Sequence, residues 1–177
     1  PAILLILAMI AKKVAKFEPG EKAVQTLATI ITYAMLINVF FFLLEVFTAF
    51  YSDVPGHTHT LVYLFSGAHG ASSLVGWMWV MTVCAILSLV LLVPHQFRKK
   101  PELLVPGLLL LIAATWIDKG LGLVVGGFIP NPFDTITEYA PSFPELMISV
   151  MIYATGLLVL TVLWKVAIGV KKETGEA

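Results

Sequence analysis

Charge is what this sequence has least of. Only 12% of its 177 residues are Asp, Glu, Lys or Arg, while 59% are hydrophobic, and a soluble domain carries roughly a quarter charged residues. With a mean hydropathy of +0.94, the chain lacks the polar surface a water-soluble fold needs. It is expected to be an all-α integral membrane bundle. Eleven basic and eleven acidic residues cancel, so nothing in the charge balance suggests nucleic acid. Cysteine is nearly absent: Cys84 stands alone in WVMTVCAIL, so no internal disulfide and no cysteine-based iron–sulfur or zinc motif is encoded. Its reading is a small packing or lipid-facing residue. No phosphate-binding loop, nucleophile elbow or HExxH motif is present either.

Long apolar runs are what the chain has instead. Four stretches reach the roughly 20 residues needed to cross a bilayer: about Ala23 to Phe50, Ser72 to Val93, Leu103 to Val124 and Glu145 to Val170. Eleven apolar residues precede Lys12, about 16 Å of helix against a hydrocarbon core of about 30 Å. Residues 1–16 therefore read as a truncated first helix, and the whole of 1–177 as the C-terminal half of a longer polytopic subunit. The connections alternate in character. EPGEK and PHQFRKKPE are short and charged, whereas YSDVPGHTHTLVYLFSGAHGA and GGFIPNPFDTITEYAPSFPE are long and mixed.

Strict alternation of the spans puts Lys12, Lys13, Lys16, Lys22, Arg98, Lys99, Lys100, Lys171 and Lys172 on one side, nine of the eleven cations. By the positive-inside rule that side is cytoplasmic, and Lys165 can snorkel toward it. Lys119 is then the one cation near the outer face. The outer segments carry Asp53, Asp134, Glu138, Tyr139, His57, His59 and His69, so the groups able to do chemistry gather outside. The turns PGH and PNP in these segments read as helix breakers. Their apolar patches LVYLF and GGFI are expected to lie against the membrane surface or under a partner subunit.

The residues WIDKG, Trp116 to Gly120, place Asp118 and Lys119 about one turn below the outer surface. Neighbouring helical residues diverge by about 100°, so each charge is expected to find its partner on another segment. Glu45 in FFLLEVF is the first candidate for Lys119; a His, Tyr or Lys from elsewhere is the expectation for Asp118. Ionisable groups at such depth are functional by default, with a structural clamp between helices as the alternative. Histidine titrates in the range useful for proton transfer, which makes His69, His57 and His59 further candidates. None of the four histidines lies mid-span, His95 included, and b-type haem needs facing pairs of them. The His57-Thr58-His59 pattern with Asp53 is too weak a signal for a metal site.

Other features have structural readings. Ser142 to Glu145 fits an S-x-x-E capping box opening the last helix. Trp77, Trp79, Trp116 and Trp164 read as an aromatic belt. Gly122 and Gly126 form GxxxG, permitting a close helix contact, and Pro106 lies early in its span, where proline is tolerated.

The runs FTAFYSDVPGHTHTLVYLFSG, LVGWMWVM, WIDKGLGLVVGGFIPNPFDTITEYAPSFPE and GLLVLTVLWKVAI resemble the C-terminal half of the NrfD-type family, the polysulfide-reductase membrane subunits. The likeness is to its long, ten-helix branch, which includes DsrP-, HmcC- and HybB-like subunits. The resemblance implies a multi-pass subunit of a respiratory oxidoreductase in a prokaryotic cytoplasmic membrane, surrounded by lipid, not catalytic alone and without haem or metal of its own. Such subunits exchange electrons between menaquinol and a ferredoxin-like iron–sulfur subunit on the periplasmic side. Sulfate-reduction complexes add a multihaem cytochrome and other membrane subunits. Within that frame Glu45, Asp118, Lys119 and His69 are the quinone or proton-path candidates, with Asp53, His57, His59, Glu138 and Tyr139 behind them. In shorter family members the quinone pocket is built by the other half, which makes a structural anchor the alternative for this one. A secondary transporter, which would need a mid-membrane site on broken helices, ranks last.

Overall fold

The structure is a computed structural model that describes residues 1–15, 20–52, 55–67, 72–128 and 141–173, with the side chains of 13–15, 55–57, 128 and 171–173 outside the description. Within these residues every regular element is helical: α1 (Ala2–Ala15), α2 (Glu21–Ser52), α3 (Pro55–Ser66), α4 (Val75–Leu92), α5 (His95–Arg98), α6 (Pro101–Trp116) and α7 (Phe143–Glu173). Four helices are long and apolar enough to cross a membrane: α2, α4, α6 with the segment that continues it to Val125, and α7. The expected all-α membrane bundle, with a short apolar helix before the first complete span, is the architecture observed.

The chain divides into two compact units, Pro1–Glu138 and Tyr139–Ala177. In the first, α4 and α6 pack side by side, with α1, α2 and α3 against them. Leu5, Met35, Met78, Leu92, Leu104 and Leu108 form the buried seam. Small residues set its spacing, because packing in lipid relies on close backbone approach. A Cβ on Gly107 would sit 3.0 Å from Leu92 Cδ2, so the helices meet where α6 has no side chain. Polar groups are returned to the backbone: Thr32 donates to Ala28 O at 2.7 Å and lies 3.4 Å from Leu92 O on α4.

The long segment after α2 is a helix in its central part. Helix α2 ends at Ser52 and Pro55 opens α3, where its missing N–H costs nothing, so PGH stands at the expected break and itself begins the next helix. The patch LVYLF is covered by this chain's own bundle, with Leu61, Tyr63 and Leu64 buried. Thr58 Oγ1 donates to Ala49 O at 3.1 Å, and Trp79 Nε1 donates to Phe65 O at 3.3 Å. These bonds tie α3 to the end of α2 and the start of α4. The turn PNP lies outside the described residues.

The second unit contains α7, whose described side chains are exposed or half-buried. Its start is the expected capping box: Ser142 N–H and Oγ–H donate to Glu145 Oε2 at 2.7 and 2.8 Å. Over Phe143–Val170 the helix is long and apolar enough to cross a membrane, and its apolar side chains suit contact with lipid.

Adjacent glycines test the packing logic. A Cβ on Gly126 would meet Leu64 Cδ2 at 2.5 Å, while one on Gly127 meets nothing within 4 Å. Gly126→Ala is expected to cost about 1–3 kcal/mol through overpacking, read as a lowered unfolding midpoint in detergent. Gly127→Ala should leave that midpoint unchanged, and equal effects at the two positions would refute the close α3 contact.

Candidate functional site

The site is built where α6 stops being an α-helix. From Ile117 to Val125 the chain continues as a π-helix, IDKGLGLVV, followed by a short 3-10 turn, Gly126–Phe128. Two glycines, Gly120 and Gly122, relax the backbone here, and the Gly126 N–H bonds back to Leu121 O, five residues earlier. Extended π segments are rare and occur frequently at functional sites. The sequence offered no periodicity that distinguishes this segment from the α-helix before it.

Gly122 is buried, and a Cβ there would lie 3.3 Å from Met78 Cε. Its bareness lets α4 close one wall beside Asp118. Glu45 from α2, Thr60, Leu61 and Leu64 from α3, Met78 from α4, and Asp118 and Lys119 from the π segment line one cavity of about 500 Å³. Three of the candidates read from the sequence, Glu45, Asp118 and Lys119, are thus gathered in one place. They stand at the end of the bundle formed by the end of α2, α3 and the start of α4.

Their pairing differs from the expectation. Lys119 Nζ lies 2.9 Å from Asp118 Oδ2, its own neighbour in sequence. Among the described residues no ion pair joins Lys119 to Glu45. The angular argument fails because the four methylenes of lysine let the ammonium reach its neighbour's carboxylate, whereas Glu45 lines the same cavity without coming within ion-pair distance. The two charges are unequally placed: the Lys119 side chain is 51% exposed and that of Asp118 only 11%. Close as it is, the contact lacks hydrogen-bond geometry. Oδ2 is therefore buried without a hydrogen-bond donor among the described residues. We take the pair as a Coulombic contact with a half-solvated partner, of small net worth, which leaves the carboxylate poorly satisfied.

Asp118 also lines a second, smaller cavity of about 210 Å³ that contains Asn38, Thr82 and Thr115. These polar residues of α2, α4 and α6 were missed by the sequence reading. Asn38, a lone amide in MLINVFF, carried a usable signal, since a polar group inside a span is expensive. The two threonines did not, because each satisfies its hydroxyl on its own helix, Thr82 on Met78 O and Thr115 on Leu111 O.

Of the histidine and loop candidates, only His59 has its side chain among the described residues. His59 is exposed on α3 and does not line the cavity. The backbone of His57 belongs to α3 while its side chain lies outside the description, as do Asp53, His69, Glu138 and Tyr139 altogether. Among the described residues no three of His, Cys, Asp and Glu cluster as a metal site would require.

The fold defines a multi-pass α-helical membrane protein, whose apolar helices contact lipid. The chain matches no family model, no curated protein and no solved structure.

The buried carboxylate supplies a direct test. Lys119→Met is expected to destabilise the protein by less than about 1 kcal/mol, the range for an ion pair with a half-solvated partner. Adding Asp118→Asn should restore most of that loss. A double variant no more stable than Lys119→Met alone would show that the two charges are not coupled.

Proposed function

We propose that this chain is an integral membrane subunit of a respiratory oxidoreductase complex, working between menaquinol and an iron–sulfur subunit on the outer face. The observation that carries the reading is the cavity shared by Glu45, Asp118 and Lys119. Two carboxylates and an ammonium in membrane-spanning helices are costly to keep, and such groups mark substrate or proton pathways. The further likeness of the outer segments to NrfD-type subunits supplies the reaction class. The basic end of the bundle, with Lys12, Arg98 and Lys99, is then cytoplasmic, and the carboxylate end faces outward. A sulfate-reduction complex with a multihaem cytochrome is the setting we favour.

The residues present suit a quinone head. A volume of about 500 Å³ falls within the usual range for small-molecule sites. Phe42, Leu61, Leu64 and Met78 offer an apolar wall, and the donorless Asp118 Oδ2 matches a quinol hydroxyl. A bound quinol supplies electrons and protons together. Lys119 Nζ is placed to donate to a carbonyl oxygen, and Asp118 Oδ2 to take up a proton. Glu45, exposed at the edge of the same cavity, then passes protons outward. Thr60 and Thr48 add polar groups at the rim.

The second reading is a structural anchor, with quinone chemistry confined to other helices of the complex. It is favoured by the Asp118–Lys119 contact, which balances the charge within a single helix.

Quinol oxidation by the intact complex separates the two. Asp118→Asn is expected to lower the rate about a hundredfold, the scale of a lost proton-transfer group. Glu45→Gln should lower it less, about tenfold, with an altered pH profile. Unchanged rates and profiles in both variants, with the complex still assembled, would establish the anchor.

A further inference from the structure

The opposite end of the first unit holds a second built feature, independent of the reading above. The end of α1, the start of α2, the α5 turn and the start of α6 enclose a cavity of about 710 Å³. Among the described residues, Lys12, Arg98 and Lys99 line it with one carboxylate, Glu21, and Met9, Val24 and Leu104 form its apolar side. Three cations from two separate segments converge there, and among the described residues none of them is in an ion pair.

Two polar atoms at this place are buried without a hydrogen-bond partner among the described residues. Gln25 Nε2 donates to Arg98 O at 3.2 Å, which pins the α5 turn to α2. That bond leaves Gln25 Oε1 buried without a donor and Arg98 Nε buried without an acceptor. The outer part of the guanidinium is turned to His95, with Nη2 3.4 Å from Nδ1. Gln25 and Arg98 both line this cavity, so a ligand carrying an anionic oxygen and a hydroxyl would supply the acceptor and the donor that these atoms lack. The apolar side adjoins membrane-spanning helices, so the same ligand has hydrocarbon to lay against it.

From these observations we infer a specific site for an anionic phospholipid whose headgroup carries a hydroxyl beside its phosphate. The phosphate meets Arg98, Lys99 and Lys12, the hydroxyl meets Gln25 Oε1, and an acyl chain follows Met9, Val24 and Leu104. Basic pockets between membrane helices bind acidic headgroups for these reasons of charge and hydrocarbon contact. A free phosphate would satisfy the cations but leave the apolar side and Gln25 Oε1 unmet.

The test uses the full chain in nanodiscs of phosphatidylcholine, with and without phosphatidylglycerol, and reads retained lipid by native mass spectrometry and stability by thermal unfolding. Lys99→Gln is expected to weaken phosphatidylglycerol retention about fivefold, and Arg98→Gln with Lys99→Gln about twenty-five-fold, at roughly one step of surface electrostatics per cation. Lys100→Gln, which removes the same charge from a residue that does not line the cavity, should change retention little. Lys99 is exposed, so its variant keeps the test valid if Arg98→Gln fails to fold. An equal loss in Lys100→Gln would reduce the effect to diffuse surface attraction and overturn the site. So would phosphatidylglycerol bound no better than phosphatidylcholine. Stabilisation by millimolar inorganic phosphate in pure phosphatidylcholine, equal to that by phosphatidylglycerol, would assign the site to a free anion instead.

Discussion

A carboxylate buried in a helix that crosses a membrane has to be answered by something, and most of what distinguishes this protein follows from Asp118. Its counter-charge is the adjacent Lys119, half-exposed and without hydrogen-bond geometry. That is a weak answer in a low-dielectric setting, where an unsatisfied charged group costs several kcal/mol. The surroundings are arranged around that cost. Helix α6 widens into a π segment at this point, Gly122 makes room for Met78, and polar residues from α2, α3, α4 and α6 collect beside the carboxylate. A purely structural bundle of this size has cheaper ways to join its helices, as the Gly107 contact with Leu92 demonstrates.

The two ends of the first unit are chemically unlike. One gathers Glu45, Asp118 and Lys119 with threonines around a cavity under α3. The other gathers Lys12, Arg98 and Lys99 around the α5 turn. Between them lies an apolar seam of leucine and methionine, interrupted by Thr32, Ser88, Asn38, Thr82 and Thr115. This polarity gives the molecule a direction across the bilayer. It also separates the cavity of the carboxylates from the cavity of the cations.

Much of the architecture was legible from residue order. The four spans, the short apolar helix before them and the capping box at Ser142 and Glu145 all appear where hydropathy and spacing put them. Lipid allows the backbone few options besides the helix, which is why hydropathy alone carries so far. Helix α3 was less legible. The proline and glycine that begin it read as a break, and only its packing against α2 and α4 reveals that LVYLF is an internal surface of the chain.

Glu45, Asp118 and Lys119 could be singled out by sequence because ionisable groups inside apolar runs are conspicuous whatever they touch. Their partners could not be. Pairing depends on how far a flexible lysine swings, on the pitch of a π segment and on which helix face α2 presents, and these are distances of a few ångströms that no one-dimensional pattern encodes. In the same way, composition and residue order determined that the protein crosses a membrane, that most of its cations flank the apolar runs and that a lone cysteine encodes no cysteine-based iron–sulfur motif. Only the tertiary structure decided that Asp118 is answered by its own neighbour, that Glu45 shares its cavity without pairing, and that Gln25 and Arg98 leave two buried atoms unmet. Free energy of transfer into lipid is a sum over residues and is written along the chain; the satisfaction of a buried polar atom is a property of its position in space.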